Sequence, residues 1–129
     1  MVEIDGAVKR IDFDGFKFAE APWIHQYKGR YYLSYATGFP EKIAYATADH
    51  IEVPYHYEGI LNEIAGNSNT NHEAIVQFKD KWYFIYHNGA IQNNGGSYSR
   101  SVCIDRLYYS SDGKMKRMIM TTEGAEAVH

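Results

Sequence analysis

The order of apolar and polar positions favours short strands along the whole chain. Val8 to Phe13 reads as a strand stopped by Gly15, and Phe18 to Gln26 as a second. Lys28-Gly29 turns the chain into Arg30 to Ala36, a run that is apolar almost without alternation, as expected of a strand covered on both faces. Gly38-Phe39-Pro40-Glu41 breaks that run, Lys42 to Ala48 alternates, and Asp49 to Pro54 leads as a loop into Tyr55 to Leu61. Beyond the polar linker Gly66 to Asn71, a second four-stranded meander is predicted: His72 to Phe78, Lys81 to His87, Ser101 to Tyr109 and Met115 to Thr121. Its second and third strands are separated by a long Gly/Asn/Ser-rich loop, Asn88 to Ser99, and Ser111-Asp112-Gly113 is a hairpin turn of the Asp-Gly type. No segment carries a helical period, so the fold class is all-β.

The two meanders are copies. Residues 24 to 35 return 51 positions later, with Ile24, Gln26, Lys28, Tyr32 and Tyr35 recurring as Ile75, Gln77, Lys79, Tyr83 and Tyr86. A repeat of this length made of aromatic strands and turn residues is the mark of propeller blades or related repeat folds, in which one unit cannot bury its faces without neighbours. Closed propellers need roughly 4 to 8 blades. The 129 residues hold about two and a half periods: 1–17 as the outer strand of a preceding blade and its connection, 18–65 as a first complete blade, and 66–129 as a second.

Composition narrows the function. A formal net charge of −3 with interspersed signs predicts no nucleic-acid partner and no polybasic membrane contact. The opening Met-Val-Glu-Ile-Asp-Gly lacks the apolar core of a leader, no apolar run is long enough to span a bilayer, and the compartment stays unassigned. The single cysteine, Cys103, lies in the apolar Ser-Val-Cys-Ile and reads as an inert packed thiol. The aromatic share of 16%, with 12 tyrosines, suits blade packing and stacking on sugar rings.

Candidate chemistry collects where the first strand of each copy begins. The repeat sets Glu20 opposite Asn71 and Ala21 opposite His72. Glu20, flanked by apolar residues and aimed at the channel between blades, is either a general acid with a raised pKa or a solvated strand-end glutamate. His72 is either a hydrogen-bonded core histidine or a ligand to metal or substrate. The remaining histidines, His25, His50, His56, His87 and His129, have no zinc-type spacing.

Several runs together, Phe18-Ala-Glu-Ala-Pro-Trp-Ile-His, Lys28-Gly-Arg-Tyr-Tyr-Leu-Ser-Tyr, Glu41-Lys-Ile-Ala-Tyr-Ala, Asn69-Thr-Asn-His-Glu-Ala-Ile-Val and Lys81-Trp-Tyr-Phe-Ile-Tyr-His-Asn, resemble glycoside hydrolase family 43, especially its β-xylosidases and α-L-arabinofuranosidases. The resemblance covers nearly the whole chain. It implies a five-bladed propeller that hydrolyses glycosidic bonds with inversion, its acid and base carboxyls roughly 6.5 to 9.5 Å apart. On the matching positions it implies Glu20 as the acid, Trp23 and Asn71 as substrate contacts, and His72 as the channel histidine beside calcium or water. Arg100 matches an arginine facing the sugar, with Ser99 where many relatives have a second arginine.

Calcium is the cofactor, and pentose-containing oligosaccharide the partner, that the resemblance implies. The family's base and pKa-tuning aspartates precede the Glu-Ala-Pro-Trp strand, and neither Asp5, Asp12 nor Asp14 matches one. The chain therefore reads as the C-terminal half of such an enzyme, inactive alone. Its alternatives are a non-catalytic carbohydrate-binding half-propeller and a self-associating one that pairs its open edges.

Overall fold

The computed structural model describes residues 6–7, 10–11, 13–14, 17–52, 54–64, 66, 68–89, 96–121 and 123–127. It contains two sheets and, among the described residues, no helix. The first sheet takes the order β1-β5-β4-β3-β2, from β1 (Phe13–Asp14), β2 (Glu20–Tyr27), β3 (Arg30–Thr37), β4 (Lys42–Ala48) and β5 (Tyr55–Asn62). The second takes the order β6-β7-β8, from β6 (Ala74–Phe78), β7 (Lys81–Asn88) and β8 (Ser101–Leu107).

The sequence repeat is also a backbone repeat. A two-residue turn joins Tyr27 to Arg30, and its residues Lys28 and Gly29 have φ of 47° and 79°. Its counterpart joins Phe78 to Lys81 through Lys79 and Asp80, with φ of 48° and 63°. Positive φ at both central positions is the primed geometry whose twist matches the strands it connects. The two lysines at φ near 48° show that register outweighs their local reluctance to enter the left-handed region.

Strand β3 explains its unbroken apolar run, because both faces are covered. Tyr32 and Ala36 pack toward the second sheet, against Phe84, Tyr86 and Leu107. Leu33 and Tyr35 pack the other way, with Ala44, Ala46 and Tyr55. Buried phenols between the sheets find partners: Tyr32 Oη donates to the Gly113 carbonyl at 2.5 Å, and Met115 N–H donates to Tyr45 Oη at 3.1 Å.

Two expectations change. Met115 to Thr121 is not a fourth strand of the second sheet. After the turn at Ser110–Lys114 it makes one antiparallel bridge, Tyr109 to Met115, then crosses to the first sheet in a parallel bridge between Asn62 and Met118. Met115 and Met118 are both buried between the sheets. Three-residue spacing of the buried side chains, rather than alternation, is what a cross-link between sheets requires and what a strand lacks. Phe13–Asp14, assigned to a preceding blade, instead pairs in parallel with Tyr55 and His56 at the edge of the first sheet. The rest of the predicted strand from Val8, and much of the loop from Asn88 to Ser99, lie outside the described residues. Cys103 is half-buried, and burial pushes its thiol pKa up, in keeping with an inert side chain.

Two buried ionisable groups oppose each other in their effect on stability. His25 stacks on Tyr32 at 4.9 Å, meets Tyr109 Oη at 2.6 Å, and burial lowers its pKa from 6.5 to about 4. Burial raises Glu73 from 4.5 to about 7, with Ser34 offsetting part of the rise. His25 stabilisation is present above pH 6.5 and is lost as pH falls toward 4, because the unfolded chain protonates first. Glu73 stabilisation is present below pH 4.5 and is lost as pH rises through 7, because the unfolded chain ionises first. Each effect is about 3 kcal/mol at full extent. His25→Gln should therefore leave unfolding free energy falling as pH rises from 4.5 to 7, and Glu73→Gln should leave it rising from pH 4 to 6.5, measured by urea unfolding across pH.

Candidate active site

The site lies where β2 and β6 begin. Glu20 faces Ala36 on β3 while Trp23 faces Ser34, so β2 carries one extra residue between them. Ala21 absorbs it at φ 58°, a conformation that costs an L-residue about 1 kcal/mol, and Pro22 follows with no N–H to forfeit. A bulge of this kind re-aims a side chain out of strand alternation. It sets the Glu20 carboxyl at the open end of the sheet, with its side chain 50% exposed.

From the second sheet, His72 reaches Glu20 with Nε2 2.9 Å from Oε1. This contact, with Glu41 next in weight, holds the Glu20 carboxyl below the usual glutamate range. Glu20 is therefore the carboxylate of the contact, and His72 Nε2 carries the proton that bridges them. Of the two readings the sequence left open for Glu20, a raised pKa or a solvated strand-end carboxyl, the open structure has the exposure of the second, because the apolar neighbours in sequence do not enclose the carboxyl and a donor faces it.

Glu41 sits just before β4 and is 5% exposed. Its Oε2 accepts the Asn71 N–H at 2.9 Å, and its own N–H donates to the Asn69 carbonyl at 2.9 Å. Burial, the largest effect, raises its pKa. Ligand atoms of Glu20, Glu41 and His72 all lie within 4.8 Å of one another. Arg100 donates from Nε to the Ser97 carbonyl at 2.8 Å, and its charge favours ionised Glu20 and neutral His87. His87, lowered in pKa chiefly by burial, places its ring 5.9 Å from that of His72.

Glu20, His72 and Arg100 thus converge as the sequence suggested, and Glu41, His87 and Glu73 join them unannounced. Glu41 belongs to a Gly-Phe-Pro-Glu turn, where a glutamate is ordinarily solvated; only its place in the Glu41-Lys-Ile-Ala-Tyr-Ala run marked it. Asn71 does not present itself to a sugar. It is fully buried, and its Nδ2 donates to Asn62 Oδ1 at 2.9 Å. Trp23 is 36% exposed, but its indole N–H is committed to the Ile75 carbonyl at 3.1 Å, a link between the sheets. Calcium takes about six to eight oxygen ligands. The cluster has three side-chain donors, one of them a nitrogen, and does not by itself make a calcium site.

The chain belongs to glycoside hydrolase family 43, whose model (Glycosyl hydrolases family 43) matches residues 2–115. A xylosidase/arabinosidase from Bacteroides ovatus is 40% identical over 85% of the chain. A family 43 enzyme from Xanthomonas citri superposes with a TM-score of 0.72 at 38% identity, over 80% of this chain and 30% of its own. A β-xylosidase/α-arabinofuranosidase from a compost microbial metagenome, solved with xylotriose in a calcium-free form, gives a TM-score of 0.72 at 39% identity over 79% and 30%. The chain spans 32% of the length of the Bacteroides relative. These neighbours are five-bladed propellers, so the two sheets are blades.

The His72 contact can be checked directly. His72→Ala should move the Glu20 carboxyl pKa up toward the ordinary glutamate range, read by carbon-13 NMR of the side-chain carboxyl.

Proposed function

We propose that this chain supplies the general acid and part of the sugar pocket of an inverting glycosidase acting on xylose- or arabinose-containing plant polysaccharide or oligosaccharide. The observation that carries the reading is the bulged start of β2, which presents Glu20 at the open end of the sheet against His72. The names of the family relatives support the pentose substrate class. In this reading Glu20 protonates the departing glycosidic oxygen while a carboxylate from another part of the propeller activates water on the opposite face of the sugar. Arg100 orients the sugar, and the exposed part of Trp23 borders it.

An acid must hold its proton until the leaving oxygen arrives. Glu20 is exposed and ionised here, so the acid form belongs to the closed site, where a bound sugar and further blades exclude water and favour the neutral carboxyl. His72, a donor to the ionised form, then stabilises through its hydrogen bond the negative charge that Glu20 acquires when it gives up its proton.

Alone, the chain should release no measurable aryl xyloside or arabinofuranoside product, since no base matches. Mixed with the separately expressed N-terminal portion of the Bacteroides relative, it should turn over, and Glu20→Gln should lower that rate by about 100- to 10,000-fold. The loss should shrink for substrates with an acidic phenol leaving group, which departs without protonation. A rate from the chain alone that Glu20→Gln abolishes would contradict the incomplete-site reading, and xylotriose binding that never yields turnover would favour the carbohydrate-binding alternative.

A further inference from the structure

His87 and Arg100 of the candidate active site stand at the end of β7 and just before β8; the opposite end of the same two strands carries a cavity. Its volume is about 440 Å³, within the roughly 300 to 1,000 Å³ of ligand pockets. Arg106 on β8 rests there against two aromatic rings, its guanidinium carbon 5.7 Å from the ring centre of Tyr83 and 5.2 Å from that of Tyr108. Tyr83 is its partner across the strands. The other wall is the segment after β8, and that segment is fastened to the strand. Thr121 Oγ1 donates to Asp105 Oδ1 at 2.6 Å, Gly124 N–H donates to Thr121 Oγ1 at 2.9 Å, and Ala125 N–H donates to the Ile104 carbonyl at 2.7 Å.

Hydrogen bonding and charge in this cavity are not balanced from within. Tyr83 is 7% exposed, yet its hydroxyl has no hydrogen-bond partner among the described residues, and neither has Arg106 Nε. Buried phenols ordinarily have one. The wall carries Lys81, Arg106, Lys116 and Arg117 against Asp105 and Glu126, so positive charge is in excess. Arg117 is held by Glu63, and Asp105 spends its oxygens on the hydroxyls of Tyr86 and Thr121.

We propose that this cavity is a second binding site, for a carboxylate-bearing sugar. Packing against two rings orients the Arg106 guanidinium, and a planar carboxylate is the anion that such a fork binds through two hydrogen bonds. Lys81 and Lys116, both exposed, add charge at the rim, and Tyr83 supplies a neutral donor from the wall. Tyr108 stays 53% exposed beside Arg106 and offers a sugar ring a flat apolar face, which an inorganic anion would leave unused. The choice of a sugar rests on the polysaccharide reading of the chain. The choice of a carboxylate rests on the cavity's own charge.

Nitrogen-15 amide spectra of the full chain, titrated separately with glucuronic acid, xylose and inorganic phosphate, test the site. Millimolar glucuronic acid should shift the amides of Lys81, Tyr83, Arg106 and Tyr108 to saturation, xylose should leave them in place, and phosphate should move them less. Arg106→Gln should weaken glucuronic acid binding by about 10- to 100-fold. Arg106→Lys, which keeps the charge and loses the fork, should weaken it as well. Should Arg106→Gln not fold, Arg106→Lys carries the same comparison. Equal shifts from phosphate would mean an anion site without sugar recognition, equal shifts from xylose would mean no part for the carboxylate, and either result overturns the proposal. So does the absence of any saturable shift with glucuronic acid. Binding here needs neither hydrolysis nor the Glu20 cluster, so its failure leaves the glycosidase reading standing, and failure of that reading leaves carboxylate binding standing.

Discussion

Everything in this molecule depends on the burial of one sheet face against another. A sheet of three strands and a sheet of five cannot each cover two apolar faces, and the shared layer of Tyr32, Tyr45, Phe84, Tyr86, Leu107, Met115 and Met118 removes one face of each from water. Tyrosine suits that layer because its ring fills volume while its hydroxyl meets a backbone group of the segment that follows β8, as Tyr32 does at Gly113 and Tyr45 at Met115. A buried phenol without such a partner would destabilise the layer, so these hydrogen bonds also fix how one sheet sits on the other.

The candidate active site inherits its geometry from that layer. Glu20 and Glu41 come from the first sheet, His72, His87 and Arg100 from the second, and Glu20 faces its donor only because the sheets are stacked in this register. Trp23 reinforces the arrangement three residues from Glu20, through its bond to Ile75. Residues that look like sugar contacts in the sequence thus serve partly as fasteners. Asn71 does so too, its Nδ2 committed to Asn62 and its backbone N–H to Glu41. Strain at Ala21 is tolerated at the same point, where strands on one side and the second sheet on the other hold the bulge in place.

Most strands were legible in the sequence because their signals are local. The Lys-Gly and Lys-Asp turns, the unbroken apolar run of β3 and the alternation of β4 each follow from neighbours along the chain, and the structure reproduces them within a residue or two. The segment from Met115 was misread because its apolar residues suggest a strand, whereas of them only Met115 and Met118 are buried and Met118 pairs with the first sheet. The charge of Glu20 was left open by the sequence for a related reason: apolar neighbours suggest a dry carboxyl and a strand end a solvated one, whereas exposure and a histidine 52 positions away set it.

By itself the sequence determined the all-β class, the blade repeat, the family and the identity of the acid candidate, since each rests on residue types at fixed spacing. Only the tertiary structure decided which carboxyl would stay charged, which asparagine would be buried, and that Glu41 stands behind Glu20. Those properties arise from desolvation and from contacts between sheets, and neither is encoded in the order of neighbours along a strand.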